Sequence, residues 1–262
     1  MEALIAAIIT AAGSSRRMAG QKKEYLSLPS LSKNKKPLTI LGAAVSAFAS
    51  CPQIGRIIIA IPQGDENAAL ASLPEELRPS GLFSGEAHSG ESRILFVTGG
   101  STRRASVHNA LLSLKAYNPS YVLIHDGARP WVKKSLIEKV INAAIQYGAV
   151  IPALPLTETP KELFSPLTDD YHTLTDAGGS FIKRHLKRNN LCTAQTPQCF
   201  KFPEILMAHE KAEESEKAAL NAGNNVEYTD DAEVWGEFIG KVAVIPGDKE
   251  NRKITYPEDI NL

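Results

Sequence analysis

The chain has 262 residues, 43% of them hydrophobic, and its 29 lysines and arginines balance 29 aspartates and glutamates to a formal net charge of zero. That length and apolar content support one large core and a single α/β domain over residues 1–262, while the neutral balance leaves no electrostatic footprint for a nucleic acid. Cys51, Cys192 and Cys199 are odd in number and lack zinc-ligand spacing, which argues against a disulfide framework or a structural metal. The start Met1-Glu2-Ala3 is acidic rather than basic, and the apolar run behind it is too short to span a bilayer. The expectation is therefore a cytoplasmic protein without a membrane partner.

Taken in chain order, residues 4–9 predict a strand that feeds into Ala11, Ala12, Gly13, Ser14 and Ser15, followed by Arg16, Arg17 and Met18. Side chains this small let the main chain approach a ligand, and adjacent arginines supply forked, charge-assisted hydrogen bonds. The segment therefore reads as a phosphate cradle with Lys23 within reach. The same residues would also make an ordinary tight strand-to-helix turn with solvated arginines. Two glycine motifs are ruled out: there is no Gly-x-x-x-x-Gly-Lys-Ser/Thr, and Gly13-Ser14-Ser15 lacks the later glycines of the dinucleotide fingerprint.

Residues 27–37, which contain Lys33-Asn34-Lys35-Lys36, read as an insertion with a solvated basic run. Leu41, Val45 and Phe48 predict a helix and residues 56–61 a strand. Residues 62–94 read as a second long insertion with some helix near 68–73. Val107, Ala110, Leu111 and Leu114 predict the next helix, and residues 120–125 the next strand. A helix then follows through Leu136, Ile137, Val140, Ile141 and Ala144, capped by Ser135 and ended by Gly148. Strands at 149–154 and 241–245 flank a long helix over 204–222, between Pro203 and Gly223, and Asp230 and Asp231 could help a metal but read better as caps of a helix beginning near Ala232.

Continuous apolar runs fit strands buried on both faces of a mostly parallel, helix-flanked sheet. In such sheets ligands bind beyond the carboxyl ends of the strands, where the Ala11 loop, Asp126 and the turn at Gly247 fall. Asp126, ending the run Tyr121-Val122-Leu123-Ile124, is placed either to hold Mg²⁺ through oxygen or to cap the strand. Residues 155–195 are polar and poor in packing positions, so they read as an arm leaving the domain or as a long surface loop.

Several motifs on these elements resemble a known family. Residues Ala11 to Met18 resemble the A-A-G-x-G-x-R-M signature of nucleotidyltransferases, with Ser15 at a preferred glycine, and Lys23-Glu24-Tyr25-Leu26 stands where cytidylyltransferases carry K-Q-Y/F-L. Gly99-Gly100-Ser101-Thr102-Arg103-Arg104-Ala105-Ser106-Val107, His125-Asp126-Gly127-Ala128-Arg129-Pro130, Thr196-Pro197-Gln198, Thr229-Asp230-Asp231-Ala232 and the stretch from Asn251 to Asp259 follow in turn. Their order and rough spacing are similar to those of the 2-C-methyl-D-erythritol 4-phosphate cytidylyltransferases.

The resemblance implies a Rossmann-like nucleotidyltransferase fold with a protruding β-arm at about 155–195, which exchanges with a second subunit in a homodimer. It implies CTP and a polyol phosphate as substrates, with Mg²⁺ or another divalent cation. Arg17 and Lys23 would be the catalytic cations, and Ala11, Ala12, Gly13, Ser14 and Ser15 would wrap the triphosphate. Gly99, Gly100, Ser101 and Ser106 would read cytosine with Arg103 facing the same pocket, and Gly127, an alanine in much of the family, would leave room for the ribose. On the acceptor side stand Asp126, Arg129, Thr159, Thr196, Lys253 and, from the partner's arm, Arg188, with Arg184 and Lys187 as alternatives.

Sister enzymes acting on ribitol 5-phosphate share these motifs, and a CTP-sensing regulator without turnover is the reading from another class. The joint presence of Arg17, Lys23, Asp126 and Lys253 argues against a dead site.

Overall fold

The structure is a computed structural model that describes residues 4–15, 18, 21–29, 37–79, 92–164 and 181–261. Its strands are β1 (Ile5–Thr10), β2 (Ile54–Ile61), β3 (Ile94–Thr98), β4 (Tyr121–Asp126), β5 (Ala149–Pro155), β6 (Lys161–Leu163), β7 (Ile182–His185), β8 (Cys192–Ala194), β9 (Gln198–Lys201) and β10 (Ala243–Pro246). The helices are α1 (Ile40–Ala49), α2 (Glu66–Ser72), α3 (Arg103–Ser113), α4 (Lys134–Tyr147), α5 (Phe202–Asn221) and α6 (Asp231–Phe238). Among the described residues, no helix is long and apolar enough to cross a membrane.

The main sheet runs β10-β5-β9-β4-β1-β2-β3, with β8 also paired to β5. β1 is parallel to both β2 and β4, and its last residue, Thr10, stands level with Ala60 and Asp126. The carboxyl ends of three central strands therefore share one edge. Their apolar runs face two cores at once. Ala7, Ile9, Ile57, Ile59 and Leu123 pack with α1 and α4, while Ala6, Ile8, Ile58, Val122 and Ile124 pack with α3, α5 and α6. Burial on both faces is the physical reason that these strands lack polar alternation.

Two helices bordering the edge start on side-chain caps. Thr39 Oγ1 accepts from the Gly42 N–H at 2.8 Å, and Thr102 Oγ1 accepts from the Ala105 N–H at 3.0 Å, each satisfying an otherwise orphaned donor. Ser135 does not cap α4: the helix begins at Lys134, the flanking Lys133 makes no side-chain cap, and Gly148 ends it at φ 84°. At the start of α6 the two aspartates differ, since Asp230 is the cap while Asp231 turns inward and is fully buried.

Three strands depart from the sequence reading. β8, at the end of the stretch read as leaving the domain, joins the main sheet antiparallel to β5. β3 begins at the end of the stretch read as an insertion and pairs in parallel with β2. β9 inserts antiparallel between β4 and β5; it is only four residues long, too short to show a period. Residues 161–163 and 182–185 form a separate two-stranded ribbon outside the main sheet, and flanking Phe164 and Phe181 are 69% and 77% exposed.

Candidate active site

A cavity of about 590 Å³ opens at the carboxyl ends of β1 and β4, lined by the 12–15 loop, Lys23, Glu24, the 100–103 turn, Ser106, Asp126 and Lys253. The loop is tied down at its start, where the Ala11 N–H donates to Ala60 O at 2.8 Å. Ala11 is buried and acts as an anchor. Gly13 and Ser14 lie open to the cavity. Ser15 adopts φ 49°, the left-handed region that explains the family's preference for glycine there. Its hydroxyl donates to Glu24 Oε2 at 3.2 Å, and Lys22 Nζ donates to Gly13 O at 2.8 Å. Lys22 thus braces the loop, whereas Lys23 lines the cavity and donates to Ile254 O at 2.8 Å. Arg16 and Arg17 lie outside the described residues.

Gly99 makes the approach of α3 to this loop possible. A Cβ there would stand 2.3 Å from Ala12 Cβ and 2.9 Å from Ser106 Oγ. Ser106 Oγ accepts from the Gly100 N–H at 3.0 Å and donates to Thr102 O at 2.8 Å, holding the Gly99-Gly100-Ser101 turn against the helix. Gly127 sits behind the cavity rather than in its lining. A methyl there would meet Thr10 O at 2.9 Å, and the neighbouring Ala128 provides the surface.

Asp126 is the electrostatic centre. Lys253 Nζ lies 2.8 Å from its Oδ2, Arg129 Nε 3.6 Å from the same oxygen, and Arg103 Nε 3.5 Å from Oδ1. Burial alone would raise the carboxyl's pKa, but Lys253, Arg103 and Arg129 more than offset it and hold the group well below the usual carboxylate range, so it is an anion at any working pH. Backbone contacts bring the C-terminal segment to this point: Ile254 N–H donates to Ala128 O at 2.9 Å and Arg129 Nη1 to Asn251 O at 2.8 Å.

Behind Asp126, Thr196 accepts the Asp126 N–H at 3.1 Å and meets His125 Nδ1 at 3.0 Å. His125 Nε2 faces Arg129 O at 3.2 Å. Burial drives the His125 pKa down to about 4, so the ring is neutral and donates through Nε2 while Nδ1 accepts from Thr196. Thr196 thus orients Asp126 from beneath. Thr159 and Arg188 stand elsewhere: both are exposed, neither lines the cavity, and Arg188 Nη1 donates to Thr157 O at 2.6 Å. Of the alternatives, Arg184 pairs with Glu162 on the ribbon at 2.8 Å.

Glu24, Thr10, Thr102, Glu227 and Thr255 also line the cavity and were missed in the sequence. Glu24 had a signal in its place beside Lys23; it is only 4% exposed and burial raises its pKa. Among the described residues, no three of His, Cys, Asp and Glu gather to hold a metal. One carboxylate sharing Mg²⁺ with phosphate oxygens and water is nevertheless a donor set that this ion accepts.

A mostly parallel sheet with its charged cavity beyond the strand ends, under a loop of small residues, is the α/β nucleotidyltransferase fold. Within that class the chain belongs to the 2-C-methyl-D-erythritol 4-phosphate cytidylyltransferase (IspD) family, whose model matches residues 5–262.

It is 32% identical to the 2-C-methyl-D-erythritol 4-phosphate cytidylyltransferase of Pelotomaculum thermopropionicum, over 98% of this chain and 92% of that one. It is 33% identical to the bifunctional enzyme IspD/IspF of Brucella abortus over 85% of this chain, and the match spans about half of that relative, 48%. The structure of 4-diphosphocytidyl-2C-methyl-D-erythritol synthase from Anaerococcus prevotii superposes with a TM-score of 0.70 at 29% identity, covering 99% of this chain and 94% of that one.

Proposed function

We propose that this chain transfers CMP from CTP to 2-C-methyl-D-erythritol 4-phosphate, releasing pyrophosphate and forming the CDP-linked alcohol of non-mevalonate isoprenoid synthesis. The observation that carries the reading is the convergence of Lys23, Arg103 and Lys253 with Asp126 in one cavity above the 12–15 loop, in a chain of this family. An acceptor phosphate oxygen attacks the α-phosphorus in line, the bond to the bridging α–β oxygen breaks, and pyrophosphate leaves with that electron pair. The acceptor monoester is largely a dianion near neutral pH, so no side chain has to remove a proton. This agrees with His125 being enclosed and neutral rather than presented to substrate.

The chain's own part is placement and charge. Loop N–H groups and Lys23 receive the phosphates, and Lys23 offsets charge that grows at the α-phosphate. Asp126, with triphosphate oxygens, would hold Mg²⁺, which when bound neutralises charge on the polyphosphate and its leaving group. Arg129 and Lys253 orient Asp126 and border the acceptor side, and Arg17 belongs to the reading as the second cation at the α-phosphate.

The arm completes the assembly. Thr159 and Arg188 do not line their own cavity, and exposed Phe164, Phe181 and Ile182 on and beside the ribbon favour packing against a second copy. The reading is therefore a homodimer in which each arm serves the partner's acceptor site.

Purified protein incubated with CTP, Mg²⁺ and either 2-C-methyl-D-erythritol 4-phosphate or ribitol 5-phosphate, with pyrophosphate measured, tests the reading. Release with the first acceptor, abolished by EDTA, is the expected result. Turnover of ribitol 5-phosphate alone would reassign the acceptor, and CTP binding without pyrophosphate release would make the chain a sensor.

A further inference from the structure

Arg103 is held between two carboxylates. Its Nε lies 3.5 Å from Asp126 Oδ1 in the cavity, and its Nη2 donates to Asp231 Oδ2 at 2.7 Å. The two acids differ in setting: Asp126 lines the cavity, whereas Asp231, in the first turn of α6, is fully enclosed. Asp231 does not cap that helix, because Asp230 accepts the Glu233 N–H at 2.9 Å. Its second oxygen, Oδ1, faces His209 Nε2 of α5 at 3.3 Å. His209 is also fully enclosed, and the two atoms meet as a close polar contact, since neither makes a hydrogen bond.

A buried carboxylate persists only when it is paired, and apolar packing would join α3, α5 and α6 as well without it. What the pair adds is direction. Guanidinium is a rigid planar fork, so holding one Nη fixes where the remaining donors point. Left with Asp126 alone, Arg103 would collapse onto the anion that substrate and metal need. With Asp231 gripping the far edge, an incoming phosphate or base competes only for the face turned to the cavity.

We propose that Asp231, backed by His209, is a positioning residue that keeps Arg103 aimed at bound nucleotide. This rests on the CTP reading above.

A double-mutant cycle at Arg103 and Asp231 tests it. Asp231→Asn preserves size and removes the charge. It should raise KM for CTP about tenfold, in line with the sensitivity of bound complexes to small misplacements. In an Arg103→Ala background the same change should move KM less than about twofold. Arg103→Ala/Asp231→Asn should also melt above Arg103→Ala, because the single variant buries an unpaired carboxylate. His209→Gln, which spares both charged partners, should give a smaller rise in KM.

Equal KM shifts in both backgrounds, or a lowered melting temperature with unchanged KM, would assign Asp231 a purely structural role and overturn the proposal. The ¹⁵N Nε–Hε resonance of Arg103, identified by its loss in Arg103→Ala, supplies a reading without substrate. It should shift or broaden in Asp231→Asn and His209→Gln, and an unchanged signal overturns the proposal. A wild-type protein that releases no pyrophosphate from CTP would refute the proposed function, while the resonance would still decide whether Asp231 holds Arg103.

Discussion

Replacing Asp126 by Asn removes one negative charge from among three cations and leaves the side chain's shape. At an effective dielectric constant of about 20, unit charges separated like Asp126 and Lys253 attract by roughly 6 kcal/mol, and the two arginines at 3.5 and 3.6 Å contribute nearly 5 each. Desolvation of the carboxylate and guanidiniums opposes most of this sum. Removing one partner of a buried pair typically costs about 3–5 kcal/mol. Lys253 keeps 41% of its side chain exposed and can turn to water, while Arg103 keeps Asp231 as a partner, so the low end, about 3 kcal/mol, is expected.

The pH dependence has a definite sign. The folded pKa lies below the unfolded value of 3.8, so the stabilisation is fully present above that value and is lost as pH falls below it. Urea unfolding at pH 7 should separate wild type and Asp126→Asn by about 3 kcal/mol. Below pH 3.8 the gap should close by about 1.4 kcal/mol per pH unit. Equal stabilities at pH 7, or a gap that persists unchanged to pH 2, would refute the placement of Asp126 among these cations. The same variant should need more Mg²⁺ for half-maximal pyrophosphate release.

Lys23→Ala should lower kcat on the order of 10²-fold while KM for CTP changes little, because its charge acts mainly on the transition state; steady-state kinetics with near-normal kcat would give the role to another cation. Gly99→Ala forces Ala12 and Ser106 apart and should lower stability by about 1–3 kcal/mol and raise KM for CTP; an unchanged melting curve would contradict the close loop–helix approach. Thr196→Val removes the hydroxyl shared by His125 and the Asp126 N–H and should cost about 1–3 kcal/mol in urea unfolding; a neutral effect would mean that water replaces it. Co-expressed Arg188→Ala and Lys23→Ala subunits should regain up to about half of wild-type activity per heterodimer, since one of its two sites is intact; heterodimers without activity would confine Arg188 to its own subunit.

Much of the architecture was legible in residue order alone. The unbroken runs in β1, β2 and β4 need two apolar faces, so they announced central strands of a parallel sheet, and the i, i+3, i+4 stripes of α1, α3 and α4 announced its cover. Asp126 was placed at the ligand edge because a residue that ends such a strand must emerge there. Small residues after β1 marked the loop, although Ala11 proved to be its anchor and Gly127 to face the protein's interior. These are consequences of local periodicity and chain direction, which neighbouring residues carry between them.

Only the tertiary structure decided which distant groups meet. β9 enters between β4 and β5 because Cys199 and Phe200 fill both cores there, a choice that four residues cannot display locally. Lys253 reaches Asp126 through the backbone contacts of Asn251 and Ile254. Asp231 reads as a second cap beside Asp230, yet it meets Arg103 across 128 positions of chain. Such pairings arise when the closed sheet and its helices bring elements together, and a charge buried by that closure takes whichever partner arrives with it.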